Sequence, residues 1–176
     1  MLENIRMTSP PHLEDSEVTE DDGSTRWRIG WQEWASLPDL GFERLRVKID
    51  TGAKTSSLHA WKIESLGVQE DDLGISREML KLSLDGDVRS GYKTRELVVP
   101  LVRYAMVTDS SGRKERRPVF RTRIVLGSVV KIIEVNVTNR ESMRFRMILG
   151  RSALISDFIV DVNREFLLGP PVGTTE

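Results

Sequence analysis

The chain has 176 residues, 39% of them hydrophobic, and its 26 basic and 27 acidic residues leave a formal net charge of −1. A chain of this length can bury one sizeable core, so we expect one folded domain. The near-neutral balance argues against a general nucleic-acid or membrane-surface binder, and the absence of cysteine excludes a disulfide framework or a thiolate metal site.

The N-terminal region is acidic and rich in turn formers, and it contains no apolar run of the kind found in signal sequences. Its composition predicts a disordered acidic tail over residues 1–25, followed by a folded domain over residues 26–169 and a C-terminal tail over residues 170–176. No later segment reaches the roughly 18 consecutive apolar residues of a membrane-spanning helix. We therefore expect a soluble, cytoplasmic protein with no membrane or nucleic-acid partner.

From Trp27 onward, short segments with apolar residues at every second position are separated by turn signals, which predicts a mainly β fold. The alternating residues are Leu45, Val47 and Ile49; Leu80, Leu82 and Leu84; Ile133, Val135 and Val137; and Met143, Phe145 and Met147. The dipeptide Asp85-Gly86 predicts a hairpin turn after the second segment.

A short C-terminal helix is predicted with Ser152 as its candidate N-cap. Ala153, Leu154 and Phe158 would face inward, and the helix would end before the extended segments FIVD and FLLG.

A hairpin that can cover a bound peptide is predicted in the middle of the chain. Residues 98–107 and 118–124 can pair around the turn-rich tip Asp109-Ser110-Ser111-Gly112. Four basic residues follow the tip: Arg113, Lys114, Arg116 and Arg117. A run of charges is usually a solvated face, and beside a binding site it would add positive potential.

The segment RVKIDTGAKTSSLHAW, residues 46–61, places Asp50 at the end of a predicted strand. An acid in that position is usually a turn former or a helix cap. Here Thr51 supplies a small hydroxyl, and Gly52 allows a tight turn that exposes its N–H groups to the carboxylate. Asp-Thr-Gly at a strand end is the arrangement that aspartic peptidases use to hold a catalytic acid.

A second part of that signature lies in MRFRMILGRSALISDFIVD, where Ile148-Leu149-Gly150-Arg151 opens the predicted helix. Together with RTRIVLGSVVKIIEVNV, these segments resemble the retropepsins, which place an apolar-Gly-Arg element beside the Asp-Thr-Gly loop. DTGAKTSSLHA, RRPVF, MILGRSAL and FIVD are more closely similar to a bacterial family of retropepsin-like peptidases. That family is often labelled ATP-dependent zinc protease and is associated with ribosomal modification by a glutamate ligase. The resemblance covers residues 27–169.

The resemblance implies a retropepsin-like closed barrel and an aspartic endopeptidase acting on a peptide or protein substrate, with a functional link to an ATP-grasp glutamate ligase. Asp50 is then the catalytic acid, Thr51 locks opposing loops, and Gly52 contacts the substrate. Acid-peptidase hydrolysis needs two carboxylates that share a proton, and the chain has one Asp-Thr-Gly. The resemblance therefore implies a homodimer, with Asp161 as an alternative second acid or a structural partner.

The residue that follows Asp-Thr-Gly-Ala departs from the retropepsin pattern. Retropepsins carry an acid there, paired with the arginine of the later element, whereas this chain has Lys54 after Ala53. We expect Arg151 to pair with Asp161 or Asp157, or to lie exposed at the surface. A lysine cannot accept a hydrogen bond, so substrate anchoring should differ. Together with the basic run, this lysine favours acidic or glutamate-modified substrates.

The residues support neither cofactor in the family's label. A zinc enzyme needs three protein ligands, and the chain has two histidines, His12 and His59, and no HExxH motif. There is no GxxxxGK[ST] phosphate loop, so we expect neither a metal nor another cofactor. Two alternatives stay open: a non-catalytic peptide-binding module that would tolerate loss of Asp50, and, less favoured, a zinc-dependent protease.

Overall fold

The computed structural model of the chain describes residues 16–21, 23–70, 74–85, 94–108 and 111–170. These residues form a mainly β fold with one short α-helix, as the sequence pattern predicts. The strands are β1 (Glu17–Thr19), β2 (Thr25–Gly30), β3 (Gln32–Leu37), β4 (Phe42–Asp50), β5 (Ser56–His59), β6 (Lys62–Glu70), β7 (Ser76–Leu84), β8 (Arg95–Pro100), β9 (Arg103–Thr108), β10 (Lys114–Leu126), β11 (Val129–Thr138), β12 (Met147–Gly150) and β13 (Phe158–Asp161). The α-helix, α1, is Arg151–Leu154, and a 3-10 turn spans Pro38–Leu40. No helix in these ranges is long and apolar enough to cross a lipid bilayer.

The largest sheet carries the candidate site and has the strand order β11-β5-β12-β4-β3-β10-β9. β10 also pairs with β11, antiparallel, so the strand pairings return to the first strand of that order. Two three-stranded sheets, β1-β2-β13 and β6-β7-β8, complete the described pairings.

The apolar residues that alternate along β4, β7 and β11 are all buried and belong to one hydrophobic cluster, as predicted. Each aliphatic side chain buried in this way contributes roughly 1.5–3 kcal/mol relative to exposure. The opposite positions of β4 are half-buried or exposed, so the period-two pattern decides which face of the strand meets the core.

The fourth alternating segment is shorter than predicted. β12 begins at Met147, and Met143 is exposed because the chain turns before it. The Met143 N–H donates to the Arg140 carbonyl at 2.8 Å, and the Glu141 N–H donates to Asn139 Oδ1 at 2.8 Å. These turn hydrogen bonds take the place of a strand ladder.

The helix is present, but its predicted cap is wrong. The N-cap is Gly150, with no side-chain hydrogen bond, and Ser152 lies inside the helix. Ala153 and Leu154 are buried as expected, and Phe158 is buried from the next strand, β13. The FIVD segment is that strand, whereas FLLG forms no strand.

Part of the region predicted as a disordered tail is folded. β1 pairs with β2 through Glu17 and Trp27, and the Ser16 hydroxyl donates to the Leu167 carbonyl at 3.1 Å. The tail prediction therefore does not fit residues 16–21 and 23–25, while residues 1–15 lie outside the described ranges. Gly86 of the predicted turn, residues 109–110 of the predicted tip and residues 171–176 of the C-terminal tail also lie outside those ranges.

A buried carboxylate ties the C-terminal segment to β3. Glu33 is fully buried, and its carboxylate accepts the backbone N–H groups of Gly30 at 2.8 Å, Leu167 at 2.9 Å and Leu168 at 3.4 Å. Burial raises the pKa of Glu33, although these hydrogen bonds act in the opposite direction. The next side chain, Gln32, donates to the carboxylate of Glu165.

Candidate active site

The candidate catalytic carboxylate lies at the end of β4, where the chain turns toward β5. Asp50 is half-buried, and its Oδ1 accepts the backbone N–H groups of Gly52 and Ala53, both at 3.1 Å. Among the described residues, none donates a hydrogen bond to Oδ2. A carboxylate held through one oxygen and open at the other can exchange a proton with a bound molecule.

The Asp-Thr-Gly loop lies directly beside the later glycine-arginine element. β12 runs parallel to β4, and Gly150 is the pairing partner of Asp50. A Cβ on Gly150 would lie 2.6 Å from the Thr55 carbonyl carbon, so only glycine allows this approach of the two backbones. The Gly150 N–H donates to the buried Ser56 hydroxyl at 3.2 Å. The pairing thus joins segments that lie a hundred residues apart in sequence.

Arg151 holds the loop from outside. Its Nη1 donates to the backbone carbonyls of Thr51 at 2.7 Å and Gly52 at 2.9 Å. Two main-chain hydrogen bonds from the start of α1 reach the same loop, from Arg151 N–H to Ala53 and from Ser152 N–H to Lys54. The guanidinium can bridge two carbonyls because its N–H donors are fixed in one plane.

The predicted pairing of Arg151 with Asp161 or Asp157 is therefore wrong, because its guanidinium donates to main-chain carbonyls, whereas the alternative that Arg151 lies exposed at the surface is confirmed. Asp157 pairs with Lys131. Asp161 accepts the Asn163 N–H and lies 3.7 Å from the guanidinium of Arg164. The role of Asp161 as an alternative second acid stays a prediction.

Two of the predicted supporting side chains are exposed at this loop. Thr51 and Lys54 both point to solvent, while their carbonyls accept the bonds from α1. The role predicted for Thr51, locking opposing loops, concerns a second chain and stays a prediction. Lys54 is free to contact a bound molecule.

A buried amide supports the exit of the loop. Asn136 on β11 donates to the Thr55 hydroxyl at 3.2 Å and to the Ser56 carbonyl at 2.7 Å. Its Oδ1 accepts the Ser57 hydroxyl at 2.8 Å and Arg117 Nη1 at 3.4 Å. One side chain thereby links the loop to β10.

A hairpin of β9 and β10 is present, but its arms differ from those predicted: of residues 118–124, Pro118 and Val119 pair with β9, whereas residues 120–124 pair with β11. β9 pairs with the first part of β10, from Lys114 opposite Thr108 to Val119 opposite Arg103. The earlier residues predicted for the first arm, 98–100, belong to β8 and pair with β7 instead. The basic run is divided between the two faces of the hairpin, because the guanidinium of Arg116 lies 3.7 Å from the ring centroid of Tyr104 on one face and Arg117 lies on the other.

A second cation lies near Asp50. Burial and repulsion from Arg117 lower the pKa of Arg140, and attraction to Asp50 acts in the opposite sense. The main chain of Arg140 is held by His59, whose Nδ1 accepts the Arg140 N–H at 2.8 Å, and Arg140 Nε donates to the Phe145 carbonyl at 3.3 Å. This places Arg140 within electrostatic range of both the candidate acid and Arg117.

The residues around Asp50 do not fit a zinc site. The neighbouring side chains are a threonine, a lysine and arginines, and the described ranges contain no group of three His, Cys, Asp or Glu side chains that could hold a metal ion. His59 is fully buried with Nδ1 already accepting a hydrogen bond, and burial lowers its pKa to about 4. The imidazole therefore acts as a neutral structural acceptor.

Sequence reasoning missed Asn136, Arg140 and Glu33. A polar residue within an alternating strand is the signal that could have identified Asn136, because its neighbours Val135 and Val137 face the core from the other side. Nothing in the local sequence distinguishes Arg140 from the other arginines of the chain.

Residues 28–171 match the sequence model of the RimB-like family, described as "Retropepsin-like aspartic endopeptidase RimB". The chain is also similar to two proteins named probable alpha-L-glutamate ligase. It is 36% identical over 145 residues to one from Desulfotalea psychrophila and 39% identical over 142 residues to one from Parasynechococcus marenigrum. Each alignment covers 80% of this chain and 29% of the relative, so the chain spans less than a third of the length of these curated relatives.

A solved structure of a Legionella pneumophila protein of unknown function is similar to this fold. The TM-score is 0.63 at 30% sequence identity, and the match covers 80% of this chain and 97% of that one.

Proposed function

The chain belongs to the RimB-like, retropepsin-like family, and on that premise we propose that it is an aspartic endopeptidase whose catalytic dyad is formed by Asp50 from two subunits. The observation that carries the proposal is the geometry of Asp50. Its Oδ1 is held by two backbone N–H groups, no residue in the described ranges donates to its Oδ2, and the loop around it is clamped by Arg151.

The chemistry requires one ionised and one protonated carboxyl group. The ionised Asp50 takes a proton from water as the water oxygen attacks the peptide carbonyl carbon, and the other carboxyl group donates its proton to the carbonyl oxygen. When the tetrahedral intermediate collapses, the C–N bond breaks and the amine leaves with a proton from the dyad. Because the chain has one Asp-Thr-Gly, a two-fold dimer supplies the second group.

Local charge supports a preference for acidic or glutamate-modified substrates. Lys54 is exposed beside the loop, and Arg140 lies within electrostatic range of both Asp50 and Arg117. Positive charge around a cleft attracts anionic ligands. The names of the glutamate ligase relatives point to the same chemistry, and we propose a functional link to an ATP-grasp glutamate ligase. Ligase activity is not assigned to this chain, which matches 29% of each relative.

Two further parts of the proposal concern the fold and the location of the protein. The pairing of β10 with both β3 and β11 supports a retropepsin-like closed barrel. The absence of cysteine is compatible with a cytoplasmic location, which stays a prediction.

The central experiment measures cleavage of oligoglutamate-tailed peptides by the wild type and by Asp50→Asn. The variant should fold normally, because the substitution is nearly isosteric, and it should lose activity. Asp161→Asn is the matched control and should stay active. Full activity of Asp50→Asn would rule out the aspartic peptidase mechanism. Retained peptide binding by a wild type that cleaves nothing would favour the peptide-binding module.

A chelator arm tests the zinc-dependent alternative. Activity should persist in EDTA, and loss of activity restored by added zinc would favour a metal enzyme.

The dimer is tested by dilution. Specific activity should fall at low protein concentration, in step with the dimer fraction measured by analytical ultracentrifugation. A fully active monomer would require a second acid from the same chain, and Asp161 would be the residue to examine.

Charge selectivity is tested with Lys54→Glu at low and high salt. The variant should lose its preference for acidic over neutral peptides, and added salt should weaken that preference in the wild type. An unchanged peptide profile would remove Lys54 from substrate selection.

A further inference from the structure

The inner face of the hairpin carries a carboxylate close to the candidate site. β10 stops pairing with β11 where Val119 lies opposite Asn136, and its preceding residues pair with β9. Glu115 and Arg117 lie two residues apart on the same face of β10. Their side chains bridge to β11, so this face of the hairpin is turned toward the loop that follows Asp50.

Glu115 is bound at both of its oxygens. Its Oε2 accepts Arg117 Nε at 2.7 Å, and the Thr138 hydroxyl lies 3.1 Å from Oε1 and 3.3 Å from Oε2. Arg117 also reaches Asn136, which supports the exit of the catalytic loop. A ligand carboxylate that approaches Arg117 would therefore meet a cation that is already paired.

The two members of this ion pair differ in exposure. The side chain of Arg117 is 13% exposed, whereas that of Glu115 is 46% exposed. Arg117 is thus the fixed member, held by β10 and Asn136, and Glu115 is the member that can leave into solvent. Replacing one carboxylate by another on a fixed guanidinium changes the free energy little, because the same charge-assisted hydrogen bonds form again.

Arg140 is a second cation that a carboxylate could meet. In the described part of the chain it forms no ion pair, its Nε donates to the Phe145 carbonyl, and Arg117 and Asp50 both influence its pKa electrostatically. Displacement of Glu115 would leave Arg117 without its carboxylate and Arg140 within electrostatic range, an arrangement suited to a molecule with neighbouring carboxylates.

We propose that Glu115 is a specificity-determining residue that acts as a built-in competitor, occupying Arg117 in the free protein and giving way to a carboxylate of the substrate. A neutral peptide cannot replace Glu115 on Arg117, so the ion pair limits the affinity for acidic peptides and leaves the affinity for neutral peptides unchanged. The inference rests on the proposed preference for acidic substrates.

The test measures binding of penta-glutamate to protein carrying Asp50→Asn, so that no cleavage is needed. Glu115→Gln removes the competing charge and keeps an oxygen that can accept from Thr138. Affinity for penta-glutamate should rise by about fivefold, the size expected for release of a partly exposed ion pair. Affinity for penta-glutamine should not change, and Arg117→Gln added to Glu115→Gln should abolish the gain.

Glu134→Gln is the matched control. Glu134 lies two residues from Asn136 on β11, is bound by Arg103 and Arg121, and its replacement changes the net charge by the same amount. A gain as large in Glu134→Gln would show a general charge effect and overturn the inference. Unchanged affinity in Glu115→Gln, or no binding by any variant, would also overturn it.

The outcome is separable from that of the proposed function. Cleavage by the wild type with no effect of Glu115→Gln on binding would retain the peptidase and refute the competitor. Tighter binding in Glu115→Gln with no cleavage by the wild type would support the competitor and refute the peptidase.

Discussion

Removing the Arg151 guanidinium should loosen the loop that carries Asp50. The side chain makes two hydrogen bonds to loop carbonyls, at 2.7 and 2.9 Å. Hydrogen bonds from a charged donor are each worth about 1.5–3 kcal/mol, but water can replace the donor at an exposed site, which favours the low end. We expect Arg151→Ala to destabilise the fold by about 3 kcal/mol and Arg151→Lys by about 1.5 kcal/mol, because lysine can remake one bond.

Urea unfolding gives the global loss of stability, and native-state hydrogen exchange gives the local one. The Gly52 and Ala53 amides that donate to Asp50 should exchange faster in Arg151→Ala, by about tenfold for each 1.4 kcal/mol of local destabilisation. Peptide cleavage should fall by about 10- to 100-fold, more than stability explains, because a displaced catalytic group loses its alignment.

Arg164→Ala serves as the control, since that guanidinium is also exposed and lies 3.7 Å from Asp161. It should leave both exchange and cleavage unchanged. If the Gly52 and Ala53 amides of folded Arg151→Ala exchange at the wild-type rate, Arg151 does not hold the loop.

Three further predictions concern buried groups. Burial raises the folded-state pKa of Glu33. Its contribution to stability is therefore present below the unfolded-state pKa of 4.5 and is lost as the pH rises. The unfolding free energy of the wild type relative to Glu33→Gln should therefore increase from about pH 7 down to 4.5, and parallel urea profiles would contradict this. His59 should have the opposite effect, because burial lowers its pKa from 6.5 to about 4. The unfolding free energy of the wild type relative to His59→Gln should therefore fall as the pH falls from 6.5 to 4, and a constant difference would argue against this. Gly150→Ala should cost about 1–3 kcal/mol through overpacking against Thr55, and an unchanged Tm would refute the close approach.

Much of the β architecture follows from local pattern. Period-two alternation places Leu45, Val47 and Ile49 on one face of β4, because successive side chains of a strand point to opposite sides. The same pattern over residues 143–147 forms a strand only from Met147, although Phe145 is buried as predicted, since turn hydrogen bonds at Arg140 and Asn139 compete with the ladder. Alternation reports which residues can share a face, and local turns decide where the strand begins.

The candidate acid and the element beside it were also visible in the sequence. Asp-Thr-Gly and Ile148-Leu149-Gly150-Arg151 are short segments whose backbone demands are local: a tight turn for one, and close approach for the other. The acceptors of Arg151 were not visible. They are main-chain carbonyls, which every residue has, so only the parallel pairing of β12 with β4 selects those of Thr51 and Gly52.

By itself, therefore, the sequence determined the mainly β fold, the short helix and the identity of the candidate acid. The tertiary structure alone decided which charges surround that acid. Arg140, which follows β11, lies within electrostatic range of Asp50, and the paired side chains of Glu115 and Arg117 reach β11 because β10 leaves that strand at Val119. Glu33 likewise becomes buried through contacts with the far end of the chain. Long-range strand pairing sets these positions, and side-chain charge alone does not specify which distant segment a residue will meet.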